Sequence, residues 1–154
     1  MKTTSAAFED LSTGMSCSIG SVRLNESEIV EFARAYDPQP MHTDAVEAID
    51  TPVGGLIASG WHTVATMMRM LVDSRVFGIN PILGAGVTDL RWPVPVRPGD
   101  ELIGSAEIID IRESKKPHRG VVTLLVTLSN QLGQPVLSLK PSMVVPRRVV
   151  SDSP

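Results

Sequence analysis

Between Leu56 and Val76 apolar residues fall on nearly every side of a helix: Leu56 and Ile57, then Val64, Ala65, Met67, Met68, Met70, Leu71 and Val72. A helix that is apolar all round needs apolar neighbours on all sides. The chain has 154 residues, about the size of one domain, so the rest of it must wrap this segment. The pattern predicts a long, largely buried central helix over about 56–76.

The strands that would do the wrapping follow it. Val122, Leu124, Val126 and Leu128 alternate with Thr123, Thr127 and Ser129, the period of two that gives a strand one buried face. Leu137, Leu139, Met143 and Val145 repeat the alternation after a turn at Gly133. Strands are also expected at about 102–111 and 86–92, and Pro141 marks an edge or a bulge. Earlier in the chain, Ser16–Val22 reads as a strand. A helix follows it, capped by Asn25 with Glu28 at the reciprocal position, and ends near Tyr36–Asp37 because Pro38 disfavours helical geometry before it. Thr43 is the expected N-cap of a short helix through Ala48. Helix first and antiparallel strands after is an α+β pattern. A curved antiparallel sheet wrapped around a long central helix is the hotdog fold, the architecture expected here. The whole chain, 1–154, reads as one domain with a core at about 15–147, a loosely held leader at 1–13 and a frayed tail at 149–154.

Composition narrows the function. Hydrophobic residues make up 42% of the chain and charged residues 20%, enough apolar material for a real core. A net charge of −3 argues against nucleic acid, whose binding needs clustered Lys and Arg. No apolar run reaches the roughly 18 residues of a membrane span, and the N-terminus lacks the order of a secretory signal. The lone Cys17 provides neither a disulfide nor a thiolate cluster. A cytoplasmic protein without metal or redox cofactor is the expectation.

The densest chemistry lies in Tyr36-Asp37-Pro38-Gln39-Pro40-Met41-His42-Thr43-Asp44. Asp37 and His42 stand five residues apart in a segment expected to be an extended loop stiffened by two prolines. A held carboxylate and imidazole can deprotonate a water and deliver a proton near neutral pH. The other reading of the same spacing makes Asp37 a cap and His42 a surface residue. In Gly54-Gly55-Leu56-Ile57-Ala58-Ser59-Gly60-Trp61, glycines at a helix start allow close approach of a ligand, and free N–H groups there can hold an oxyanion. Gly60 can equally be a packing glycine against the sheet.

These two segments, followed by Leu90-Arg91-Trp92-Pro93-Val94-Pro95-Val96-Arg97-Pro98-Gly99-Asp100, resemble the MaoC-like dehydratase family, which includes (R)-specific enoyl-CoA hydratases. The resemblance covers roughly residues 15–147. It implies that Asp37 and His42 are the catalytic pair and that the Gly60 N–H polarises a thioester carbonyl. Gly55 and Ser59 would contact substrate. Many relatives carry His-Gly where this chain has Ser59-Gly60, and hydratases often place a serine two helical turns later, where Met67 and Met68 stand here. Those two read mostly as core filler, though their flexible side chains would also suit the lining of an acyl pocket. The substrate would be an acyl-CoA or acyl-carrier-protein thioester, and the protein a homodimer.

Other residues take plainer readings. His62 reads as a helix residue satisfied by a neighbour, Asp44 and Glu47 as first-turn carboxylates favoured by the helix dipole, and Trp92 as a packed core or interface residue. Lys115 to Arg119 form a basic loop, read as a solvated hairpin rather than a phosphate site. Two competing functions remain: a hotdog thioesterase, and a non-catalytic acyl-CoA-binding subunit.

Overall fold

The computed structural model describes residues 5–148. Five antiparallel strands form one sheet in the order β1-β3-β4-β5-β2: β1 Ser16–Arg23, β2 Leu83–Arg91, β3 Glu101–Glu113, β4 Arg119–Ser129 and β5 Pro135–Pro146. The alternation seen in the sequence is the alternation of burial. Leu124, Val126 and Leu128 of β4, with Leu137, Leu139, Met143 and Val145 of β5, are all buried in one cluster. With the central helix α3 (Gly60–Ser74) adding Met67, Met70 and Leu71 to that cluster, this is the hotdog fold.

Helix α1, Glu26–Tyr36, starts as its sequence dictates. The Asn25 side chain accepts from the Glu28 N–H at 2.9 Å, and the Glu28 carboxylate accepts from the Asn25 N–H at 2.9 Å. Such a cap is worth about 1 kcal/mol. Ile29 and Ala33 anchor its inner face, and it stops before Pro38.

Four expectations change. First, α3 begins at Gly60, not Leu56. Residues 56–59 are extended, tied sideways by Ile57 N–H to the Met41 carbonyl and Ala58 N–H to the Val96 carbonyl, each at 2.9 Å. Leu56, Ile57 and Ala58 are apolar because they are buried loop, which a helical pattern does not distinguish. The helix is also buried on one side only. Trp61 and Val72 are 58% and 51% exposed, and with Ala65 and Met68 they make an outward apolar stripe. Second, Pro40–Thr43 is a helical turn, α2, with Pro40 near its start, where its missing N–H costs nothing. Asp44, not Thr43, caps the next turn, accepting from Val46 and Glu47 N–H. Third, the leader is not loose over its described part. Phe8 and Leu11 are buried, with the Phe8 ring in the space that a Cβ on Gly120 would need, and Glu9 and Asp10 pair with Arg147 and Arg148. The expected tail at 149–154 lies outside the described residues. Fourth, Pro141 sits in an interior strand. That corrects the edge reading, while the bulge reading holds on one side. The ladder to β4 keeps one register from Thr123↔Ser142 to Val126↔Leu139, but the ladder to β2 shifts register on both sides of Val87↔Pro141, between Gly84 and Gly86 and between Thr88 and Arg91. Among the described residues, no helix is long and apolar enough to cross a membrane.

Candidate active site

Three segments meet at the N-terminal end of α3. The α1–α2 junction brings Asp37, at the α1 C-cap, and His42, in α2. The extended run 56–59 and the first turn of α3 form the floor. The strap from Trp92 to Val96 forms the far wall. They enclose a cavity of about 260 Å³ lined by Asp37, His42, Gly60, Trp61, Thr63 and Trp92, with Val94 to Val96 and Val136 behind them.

His42 is fixed from below. Its Nδ1 lies 2.8 Å from the Ile57 carbonyl oxygen. A carbonyl only accepts, so Nδ1 carries the proton and Nε2 of the neutral ring is a lone-pair acceptor. That Nε2 lies 3.3 Å from Asp37 Oδ2. The imidazole is 5% exposed and the carboxylate 20% exposed. Asp37 is held at both oxygens: Gln39 Nε2–H donates to Oδ1 and Ser59 Oγ–H to Oδ2, each at 2.7 Å. Burial pushes this carboxyl up, but the donors Gln39 and Ser59, joined by the attraction of His42 whenever its ring is protonated, outweigh it and hold it below its ordinary value. The result is an ionised carboxylate beside an imidazole nitrogen, two proton acceptors bordering one small cavity.

Gly60 is the first residue of α3, and the first N–H groups of a helix have no intrahelical acceptor. The Thr63 N–H closes the first bond, to the Ser59 carbonyl at 3.2 Å. The positive end of the helix dipole therefore borders the same cavity as the two acceptors.

The third motif braces the other two. The Ala58 N–H donates to the Val96 carbonyl, the Arg97 guanidinium donates to the Val53 carbonyl, and buried Asp100 accepts from the Arg97 N–H at 2.8 Å and from Gln131 at 2.9 Å. The strap is thus tied to the chain that enters α3.

A family model described as "MaoC like domain" matches residues 11–130. The chain belongs to the MaoC-like domain family. A MaoC-like dehydratase from Rhodospirillum rubrum is 39% identical, with a TM-score of 0.84, covering 94% of this chain and 99% of that one. The (R)-hydratase from A. caviae involved in PHA biosynthesis is 26% identical at TM-score 0.69, covering 90% and 98%. The uncharacterized protein YdeM of Bacillus subtilis is 28% identical over 140 residues, 91% of this chain and 99% of YdeM. Hydration and dehydration are therefore the class of chemistry this MaoC-like domain has to be read against.

Of the residues singled out in the sequence, Asp37, His42 and Gly60 come together around this cavity. Ser59 lies beneath it, fully buried, bonded to Asp37 rather than facing ligand. Gly55 does not line it: a Cβ there would stand 3.3 Å from Arg97 Nη1, so its place is against the strap. Met67 and Met68 line a second, apolar cavity of about 230 Å³ with Val64, Leu71, Val87 and Met143. Sequence reasoning misses Gln39, Trp61 and Trp92. Gln39 stands in plain view between the two prolines, a donor within reach of the aspartate two residues before it.

Proposed function

We propose that this MaoC-like domain adds water reversibly across the double bond of a trans-2-enoyl-CoA thioester to give a 3-hydroxyacyl-CoA, the (R) product by likeness to the hydratases. The observation that carries the reading is the cavity bordered by Asp37, His42 and the start of α3 at Gly60. The thioester carbonyl accepts a hydrogen bond from the Gly60 N–H, which draws electrons from the β-carbon. A water on the cavity side of Asp37 Oδ2 and His42 Nε2, within reach of both, loses a proton to this pair, and its oxygen bonds to the β-carbon. The electron pair of the double bond moves toward the carbonyl, and the α-carbon takes a proton from the same pair. A fixed donor where charge develops contributes most of such a rate enhancement. The reaction as written needs neither metal nor redox cofactor.

The two cavities succeed each other along α3: Thr63 borders the first, Val64 and Met67 the second. Val136 and Leu139 repeat the order on β5. The acyl chain runs from the first into the second, beside Met67 and Met68. The second cavity is edged by Met68 and Val87, both exposed in the single chain. Strand β2 is an unpaired sheet edge with Leu83 and Val87 outward, a feature proteins rarely leave open. A second copy of the chain covers β2 and the outward stripe of α3, making a cytoplasmic homodimer.

Loss of absorbance at the enoyl-thioester band, measured across acyl-CoAs of different length, tests the reading. Steady hydration supports it. Release of free thiol with no hydration would make the protein a thioesterase instead.

A further inference from the structure

We propose that Ser59 is a positioning residue, tying the general base Asp37 to the oxyanion-binding end of α3. The inference rests on the hydratase reading and deepens it. Ser59 is the N-cap of α3, the position where a serine normally turns its hydroxyl onto the second or third N–H of the helix. Here that hydrogen bond is not made. The hydroxyl turns away and donates to Asp37 Oδ2 at 2.7 Å, from a side chain that is fully buried. Two consequences follow. The helix N–H groups are left for a ligand, because the cap side chain does not consume one. In addition, the Ser59 carbonyl carbon is bonded directly to the Gly60 nitrogen. One hydrogen bond and a few covalent bonds therefore fix the distance between the carboxylate that takes the proton and the N–H that meets the thioester.

Asp37 needs such a tie. It lies just past the end of α1, with φ −150° and ψ 67°, so the helix no longer dictates where its side chain goes. Gln39 holds Oδ1, but from an exposed position, where water competes for the same bond. Ser59 holds the oxygen that faces His42 Nε2, and does so from a side chain that is itself fully buried. His42 is the charged or titratable group that bears on Asp37, with Gln39 and Ser59 its neutral donors.

The test is Ser59→Ala beside the wild type, with Ser59→Cys as a same-size variant carrying a weaker donor. Turnover of an enoyl-CoA should fall about 10- to 100-fold in Ser59→Ala, because a small misplacement of a reacting group costs that much. KM should stay within about three-fold, since the hydroxyl does not touch substrate. The acid limb of the pH profile should move up by about one unit, because the carboxylate loses a donor. Cys should fall between Ser and Ala. A separate readout needs no turnover: the 13C resonance of the Asp37 carboxyl, titrated in both proteins, should show the same upward move. If no thioester is hydrated but the Asp37 titration still moves, the hydratase reading fails while the tie stands. Unchanged turnover and an unmoved Asp37 titration in Ser59→Ala would overturn the proposal.

Discussion

The indole of Trp92 stands where a side chain on residue 60 would begin: a Cβ built on Gly60 meets Trp92 Cε2 at 2.6 Å, while Trp92 Nε1–H donates to the Gly60 carbonyl at 2.9 Å. Gly60 is thus both a packing glycine and the start of the helix end that borders the cavity. Gly60→Ala should push the indole outward, with a loss of about 1–3 kcal/mol in stability and at least a ten-fold loss of hydration. The chain has two tryptophans and both border this cavity, so intrinsic fluorescence reports on it directly. Wild-type emission and melting temperature in the Gly60→Ala protein would contradict the packing.

The outward stripe on α3 and the bare β2 edge give the second prediction. Light scattering at micromolar concentration should return twice the 16.6 kDa chain. Val72→Glu, which places a charge on the exposed stripe, should shift the protein toward monomer because the charge would be buried in the dimer. One chain's mass for the wild type would remove the second copy from the account.

His62 gives a pH prediction. Its ring is buried, stacked on Phe32 at 4.6 Å, and its Nδ1 has no hydrogen-bond partner. Burial pushes its pKa down, against the pull of the Glu28 carboxylate. Folding therefore favours the neutral ring. The stability it contributes is complete above the ordinary histidine value of about 6.5, and is lost as pH falls from there through the lowered folded value. Chemical denaturation between pH 7.5 and 5 should show this decline, and His62→Phe should flatten it. The same slope in both proteins would assign the acid sensitivity elsewhere.

Met67 and Met68 beside the second cavity predict a preference for medium or branched acyl groups over the shortest. Met68→Trp should lower kcat/KM for a six- to eight-carbon enoyl-CoA by at least about ten-fold, the usual worth of a few lost methylene contacts, and leave crotonyl-CoA nearly unchanged. Crotonyl-CoA turned over faster than every longer or branched substrate by the wild type would refute the assignment.

The fold is legible where its signals are local. The Asn25–Glu28 cap and the period of two in β4 and β5 each need only a few neighbouring residues to be read. Sequence alone misleads at the places where tertiary contacts decide. Leu56 to Ser59 look helical by composition, yet bonds to Met41 and Val96 hold them extended. Residues 5–13 look dispensable until Phe8 is seen filling the space above Gly120. In the site, motifs name Asp37, His42 and Gly60, but Ser59 reads as a ligand contact because a sequence does not show which way a hydroxyl turns. Trp92 reads as packing and is also a wall of the cavity, since its partner lies 32 residues away.

The most direct measurement is hydration of a medium-chain trans-2-enoyl-CoA by the wild type, Asp37→Asn, His42→Ala and the double variant. The asparagine side chain keeps the size and most of the hydrogen bonds but cannot take a proton. Hydration should fall about 10²–10⁴-fold for each single change, and the double variant should lose far less than the product, because both groups act on one water. Quenching of tryptophan emission by acyl-CoA should survive in Asp37→Asn, showing that the cavity is intact. Full hydration activity in Asp37→Asn together with a large drop in melting temperature would make this aspartate a structural cap and leave the proposed reaction without its base.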